Sequence, residues 1–193
     1  MITYELGGKL YINMTNRCPN NCSFCIRSNS STFEYDLWLQ KEPDAREIIE
    51  EIGNAEPYDE VVFCGFGEPM VRLPELLEVA RHIKSLGKKV RVNTNGQADL
   101  IWKRSVAPEL NGLVDSISIS LNAGTAEYYQ ELCESEFGND AFEAIIEFAK
   151  QCLIYVPEVT LSVVDVIPQS EIEKCREIAA KVGTKFRVRS MQE

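Results

Sequence analysis

The sequence predicts an α/β protein: an open, TIM-like partial (β/α)₆ barrel with six parallel strands. Three observations predict it. Short apolar segments alternate with amphipathic ones, the pattern of strand–helix units wound in one hand around a parallel sheet. Six such units fit into the 193 residues, short of the eight of a complete barrel. Two strands carry a polar face, whereas a flat parallel sheet covered on both sides reads as continuously apolar. A polar face suits a curved sheet lining a wet cavity.

The elements follow in order. Lys9–Thr15 reads as the first strand, and Asp44–Gly53 as a helix with Ile48, Ile49 and Ile52 at helical spacing. Glu60–Cys64 is the second strand. Pro74–Leu86 is a helix with Pro near its start, Gly87 after its end and a stripe of Leu76, Leu77, Ala80 and Ile83. Lys89–Asn93 is the third strand, with Arg91 and Asn93 opposite Val90 and Val92. Gln97–Ala107 reads as a weaker helix. Asp115–Leu121 alternates strictly, Ser116, Ser118 and Ser120 on one face and Ile117, Ile119 and Leu121 on the other. Asn139–Cys152 is a helix, Glu158–Val166 the fifth strand, Ser170–Val182 a helix capped by Ser170 and ended by Gly183, and Thr184–Arg189 the sixth strand. No linker or second domain is expected, so residues 1–193 read as a single domain.

Thirty acidic against twenty basic residues give a net charge of −10. Such a chain is poorly suited to phosphate backbones, so no nucleic-acid partner is expected. No run approaches the ~20 apolar residues that span a membrane, and no cleavable leader is visible at the N-terminus; a cytoplasmic protein is expected. Seven cysteines, an odd number, argue against a disulfide framework.

Cys18, Cys22 and Cys25 are spaced C-x₃-C-x₂-C in a loop after the first strand. Open α/β folds place their chemistry at the carboxyl ends of strands. Three thiolates from so short a loop can converge on one centre, and their softness selects zinc or an iron–sulfur cluster. Structural zinc needs a fourth ligand, for which Cys64 is the candidate.

The cysteine motif, with aromatic Phe24 before its last member, resembles the signature of the radical S-adenosylmethionine (SAM) superfamily. Gly65-Phe66-Gly67-Glu68-Pro69, after the second strand, resembles that family's G-G-E-P motif, with Phe66 where the first Gly usually stands. Thr94-Asn95-Gly96 resembles its T-N-G turn, and Ser120-Leu121-Asn122 the segment that touches the SAM ribose and carboxylate. All four lie at strand ends in the expected order. At finer grain the chain resembles the small radical SAM proteins named for their association with TatD-type hydrolases, a name that implies no reaction.

The resemblance implies a 4Fe–4S cluster on Cys18, Cys22 and Cys25 and SAM on the open iron. It implies SAM contacts from Phe24, Gly65, Gly67, Glu68, Pro69, Thr94, Asn95, Ser118, Ser120 and Asn122. It implies an enzyme that reductively cleaves SAM to methionine and a 5′-deoxyadenosyl radical, which abstracts hydrogen from a substrate. Its electron donor would be a flavodoxin or ferredoxin. The substrate is either a small polar molecule or a glycine-containing loop of a partner, as for the activases of glycyl radical enzymes. The competing reading is a non-catalytic metal-binding module, with zinc or an iron–sulfur centre held structurally.

The remaining residues are read as follows. Cys64, Cys133, Cys152 and Cys175 are expected to be packing residues, and His82 to lie on the surface. Asp165, Arg187 and Arg189 could reach the cavity. Arg17 and Arg27 flank the cluster loop and are expected to border the donor's docking surface, against pairing with nearby acids such as Glu34 and Asp36. Ser28–Leu39, with Phe33, Tyr35 and Trp38, is either a mobile lid or a cover over the barrel edge.

Overall fold

The computed structural model describes residues 1–28 and 34–190. Its centre is one sheet of seven strands, neighbours in space as in sequence. They are β1 (Thr3–Leu6), β2 (Lys9–Ile12), β3 (Glu60–Phe63), β4 (Lys89–Thr94), β5 (Ser116–Ser120), β6 (Glu158–Val164) and β7 (Lys185–Arg189). β2 to β7 are the six expected strands, and they run parallel. The result is the open, mostly parallel sheet of a partial TIM-like barrel.

β1 corrects the expected strand number. It pairs antiparallel with β2, Thr3 opposite Ile12 and Leu6 opposite Lys9. The turn is Gly7-Gly8, at φ 56° and 71°. Two left-handed residues are what a two-residue hairpin twisting with its strands requires, and glycine adopts them without a Cβ clash. The Gly-Gly dipeptide between two β-rich runs is the sequence signal for this hairpin.

The helices are α1 (Ala45–Ile52), α2 (Leu73–Ser85), α3 (Ala98–Trp102), α4 (Ala126–Cys133), α5 (Asp140–Tyr155) and α6 (Gln169–Val182). α1 starts on a reciprocal cap: Asp44 accepts from Glu47 N, and Glu47 accepts from Asp44 N, both at 2.8 Å. α3 is shorter than expected. It stops at Trp102 because Lys103 turns left-handed, at φ 54°, and Val106 N donates to Asp99 Oδ1 at 2.9 Å, drawing the chain back. α4 was not expected, although Thr125 caps it through Tyr128 N. α6 begins one residue early, at Gln169: the Pro168 carbonyl accepts from Ile172 N at 3.1 Å, and Ser170 lies inside the helix and is not its cap.

Strand alternation decides what each face of the sheet does. Val90, Val92, Ile117 and Ile119 are buried, in one cluster with Ile83 of α2 and Ile145 and Phe148 of α5. Each such side chain contributes about 1.5–3 kcal/mol when fully buried. On the other face Asn93, Ser118 and Thr160 stand side by side by register. They line a cavity of ≈ 1030 Å³ that runs from the strand starts to the strand ends. Among the described residues, no helix is long and apolar enough to cross a membrane.

Candidate functional site

The cysteine loop leaves β2 and is seated on α4. Asn21 N donates to the Cys133 carbonyl at 3.0 Å and Ser23 N to the Leu132 carbonyl at 3.1 Å. These carbonyls belong to the last turn of α4, where no helical N–H remains to satisfy them. Glu136 N, beyond the helix, donates to the Pro19 carbonyl at 2.9 Å. A buried amide–hydroxyl network closes the seat. Gln97 Nε2 donates to Asn20 Oδ1 and to the Tyr129 hydroxyl, both at 2.8 Å. Asn20 Nδ2 donates to the same hydroxyl at 3.0 Å, and Ser135 Oγ to Gln97 Oε1 at 2.8 Å. All four side chains are buried, so each bond replaces water that is absent and is costly to lose.

Cys18, Cys22 and Cys25 all line the cavity, each in different company. Cys18 Sγ accepts from Asn95 Nδ2 at 3.9 Å. Burial, followed by the nearby Glu68 carboxylate, pushes its thiol up to about 12. Cys22 meets the thiol of Cys133, whose hydrogen bond draws the Cys22 value down; Cys133 is held up by the same bond and by burial. Cys25 Sγ accepts from Arg27 Nε at 3.4 Å. A metal centre would deprotonate a thiol that burial otherwise keeps protonated. Among the described residues, no three His, Cys, Asp or Glu side chains are already drawn together as a metal-binding group.

The turn after β3 is pressed against the start of the cysteine loop. A Cβ on Gly65 would come 2.1 Å from Asn13 Oδ1, and one on Gly67 2.4 Å from the Thr15 carbonyl oxygen. Asn13 also ties the turn down, accepting from Phe66 N at 3.3 Å and donating to the Leu37 carbonyl at 2.7 Å. Glu68 is buried beneath. Its carboxylate accepts from Thr94 Oγ1 at 2.7 Å, Asn95 N at 2.6 Å and Met70 N at 2.9 Å. Burial pushes Glu68 up to about 7 against the opposite pull of those three bonds.

Asn122, just past β5, is the strained residue of the rim, at φ 59° in the left-handed region. Its Nδ2 donates to Cys133 Sγ at 3.9 Å, while its Oδ1 is buried with no partner. A buried acceptor in a cavity wall suits a ligand that brings a donor. The three thiols, this acceptor and the close-packed glycine turn therefore fit a cluster with an SAM beside it.

Of the expected contact residues, Phe24, Gly65, Asn95, Ser118, Ser120 and Asn122 line the cavity. Gly67, Glu68, Pro69 and Thr94 do not line it. Glu68 and Thr94 are buried in their own hydrogen bonds, so they act by shaping the Asn95 turn. Other residues singled out in the sequence take these places. Cys64 is half-buried and lines the cavity, because it lies just past the end of β3. Cys133 is buried as expected, but its thiol touches Cys22 and not apolar packing alone. Arg17 is bonded through two nitrogens to Glu42, each at 2.9 Å. Arg27 is folded onto the cysteine loop, so both arginines are engaged with groups of the chain itself. Arg187 and Arg189 line the cavity, whereas Asp165 is exposed outside it. Tyr35 packs at a tilt against Tyr4 at 5.4 Å and Trp38 meets Phe66 edge-on at 5.3 Å, which with the Asn13 bond makes residues 34–39 a pinned cover. Phe33 lies outside the described residues.

Comparison with known proteins agrees with this geometry. The model of the Radical SAM superfamily matches residues 12–182. A tungsten-containing aldehyde ferredoxin oxidoreductase cofactor-modifying protein of Pyrococcus furiosus is 30% identical over 91 residues, 45% of this chain and 23% of that protein. The crystal structure of Streptococcus suis SuiB bound to precursor peptide SuiA superposes with a TM-score of 0.70 at 17% identity, over 98% of this chain and 40% of that one. SuiB bound to SAM gives a TM-score of 0.66 at 17% identity, over 94% and 38%. The chain therefore spans less than half the length of each of these proteins.

Proposed function

Because this chain belongs to the radical SAM superfamily, we propose that it is an enzyme core in which Cys18, Cys22 and Cys25 hold a 4Fe–4S cluster beside bound SAM. The observation that carries the reading is the shared cavity: three thiols and the unpartnered Asn122 Oδ1 lie at the ends of β2 and β5 around one space. When bound, the pair supplies reductive cleavage of SAM and, from it, hydrogen-atom abstraction. The chain's own residues bind and orient. Asn122 Oδ1 accepts from an SAM hydroxyl or ammonium, Ser120 and Asn95 add bonds on either side, and Gly65 keeps the wall free of a side chain. The polar wall of Asn93, Ser118 and Thr160 receives a small polar substrate. Residues 1–193 form the radical SAM core, reduced by a flavodoxin- or ferredoxin-type donor in the cytoplasm. The kinship with the TatD-associated group belongs to the same proposal and names no reaction.

A second reading of the substrate has its own support. SuiB, similar in fold, is described with a precursor peptide bound, and this favours a peptide or a glycine-containing protein loop as substrate here. Deuterium transfer into 5′-deoxyadenosine from labelled small molecules or labelled peptide separates the two.

The test of the cluster is metal content after anaerobic reconstitution. About four irons per chain are expected. Cys18→Ala, Cys22→Ala or Cys25→Ala abolishes them, and Cys175→Ala does not. Stoichiometric zinc without iron overturns the reading in favour of a structural metal module.

A further inference from the structure

Arg27 stands two residues after the last cysteine of the motif and spends its whole guanidinium on the loop. Nε donates to Cys25 Sγ at 3.4 Å, Nη1 to the Asn16 carbonyl at 3.1 Å and Nη2 to the Asn20 carbonyl at 3.3 Å. These acceptors bracket the loop, one before Cys18, one between Cys18 and Cys22, and one at Cys25 itself. A planar fork with donors in fixed directions can hold three such points at once, which a lysine ammonium on a flexible stem cannot. Arg17, the other arginine of the loop, has its charge matched by Glu42. Arg27 makes its bonds to two neutral carbonyls and a sulfur, so its positive charge stays beside the thiols.

We propose that Arg27 is a positioning residue that sets the reduction potential of the cluster held by Cys18, Cys22 and Cys25. The proposal rests on the cluster reading above. Reduction brings one electron from an external donor, dithionite in the test, and raises the negative charge among the three thiolates by one. A fixed cation and an N–H···S bond stabilise the more negative state more than the less negative one, so both raise the potential. Arg27 thereby makes the electron easier to accept without touching SAM or substrate. A role confined to holding the loop in shape would leave the potential where it is once the cluster is loaded.

The experiment is an EPR-monitored redox titration, with dithionite and mediators, of reconstituted wild-type protein and of R27Q, R27M, R27K and R17Q, each with its iron content measured. Both neutral variants, with about four irons per chain, are expected to titrate below wild type by about 59 mV, a tenfold loss in the one-electron equilibrium. R27K, which keeps the charge, recovers most of that shift, and R17Q titrates with wild type. Loaded R27Q and R27M at the wild-type potential, or an R17Q shift as large as theirs, would overturn the proposal. Failure of both neutral variants to hold iron assigns Arg27 to loop shape alone and rejects the tuning role. Failure of wild-type protein to hold iron overturns the cluster reading instead, and the iron assay distinguishes that outcome.

Discussion

The two ends of the cavity are built from different chemistry. At the strand ends, buried amides, hydroxyls and one carboxylate share directional hydrogen bonds: Asn20, Gln97, Tyr129 and Ser135 in one group, Glu68 with Thr94 and Asn95 in another. At the strand starts the wall is charged. Lys9 lies 2.5 Å and Arg91 3.7 Å from Glu60, and Lys185 lies 2.6 Å from Glu158. Buried bonds of this kind are directional, and each is expensive to leave half-made. An ion pair open to water, as between Lys185 and Glu158, is adaptable and contributes little. The difference identifies the strand ends as the rigid part, where a cluster loop must be held, and the strand starts as a solvated wall.

Substitutions at the two ends should differ accordingly. The largest effect is expected from Gly67→Ala, whose new Cβ meets the Thr15 and Arg17 carbonyl oxygens at 2.4 and 2.6 Å, backbone atoms that cannot swing aside. A loss of ~3 kcal/mol in urea unfolding is expected. Gly7→Ala, in the hairpin turn at the other end, has nothing within 4 Å of the new Cβ and pays only for its positive φ, ~1 kcal/mol. Equal losses would break the comparison.

Glu68 gives the strand ends a pH dependence. Folded, it holds its proton up to about 7, against an ordinary value of 4.5. The folded chain therefore binds more protons than the unfolded one between those values. Stability falls as pH rises through that window, by up to ~3 kcal/mol. Glu68→Gln removes the titration, so thermal midpoints measured across the window should flatten. An unchanged slope would show that Glu68 stays ionised throughout.

Tyr129→Phe is a smaller perturbation. It removes the acceptor shared by Asn20 and Gln97. A loss of ~1–2 kcal/mol is expected, together with poorer iron retention on dilution, because Asn20 lies inside the cysteine loop. Full retention would mean that α4 holds the loop through its carbonyls alone. The smallest effect is expected from Lys185→Gln, which breaks the pair with Glu158 at the cavity's solvated end. Less than ~1 kcal/mol and no change in iron content are expected. A larger effect would mean that the charged wall is as rigid as the strand ends.

The sequence by itself determined the parts whose information is local. Alternation in Ser116–Ser120 and Lys89–Thr94 identified strands, and the side that faces water, because a strand's side chains change face at every residue. Ile48, Ile49 and Ile52 marked α1 for the same kind of reason, since residues three and four apart share one face of a helix. The cysteine spacing singled out its loop. Signals for β1 and α4 were present, in Gly7-Gly8 and in Thr125 before Tyr128, but each is short and easily passed over. Only the tertiary structure decided what surrounds the thiols. Asn20 meets Tyr129 across 109 residues and Gln97 across 77, and Cys22 meets Cys133 from a different element. Nothing periodic in the chain announces such a pair, because it exists only after sheet and helices have packed and brought two distant backbones to one distance. The same reason separates Arg17 from Arg27. They are alike as letters beside the motif, yet one is turned onto Glu42 and the other onto Cys25 by the course of a loop that local rules do not specify.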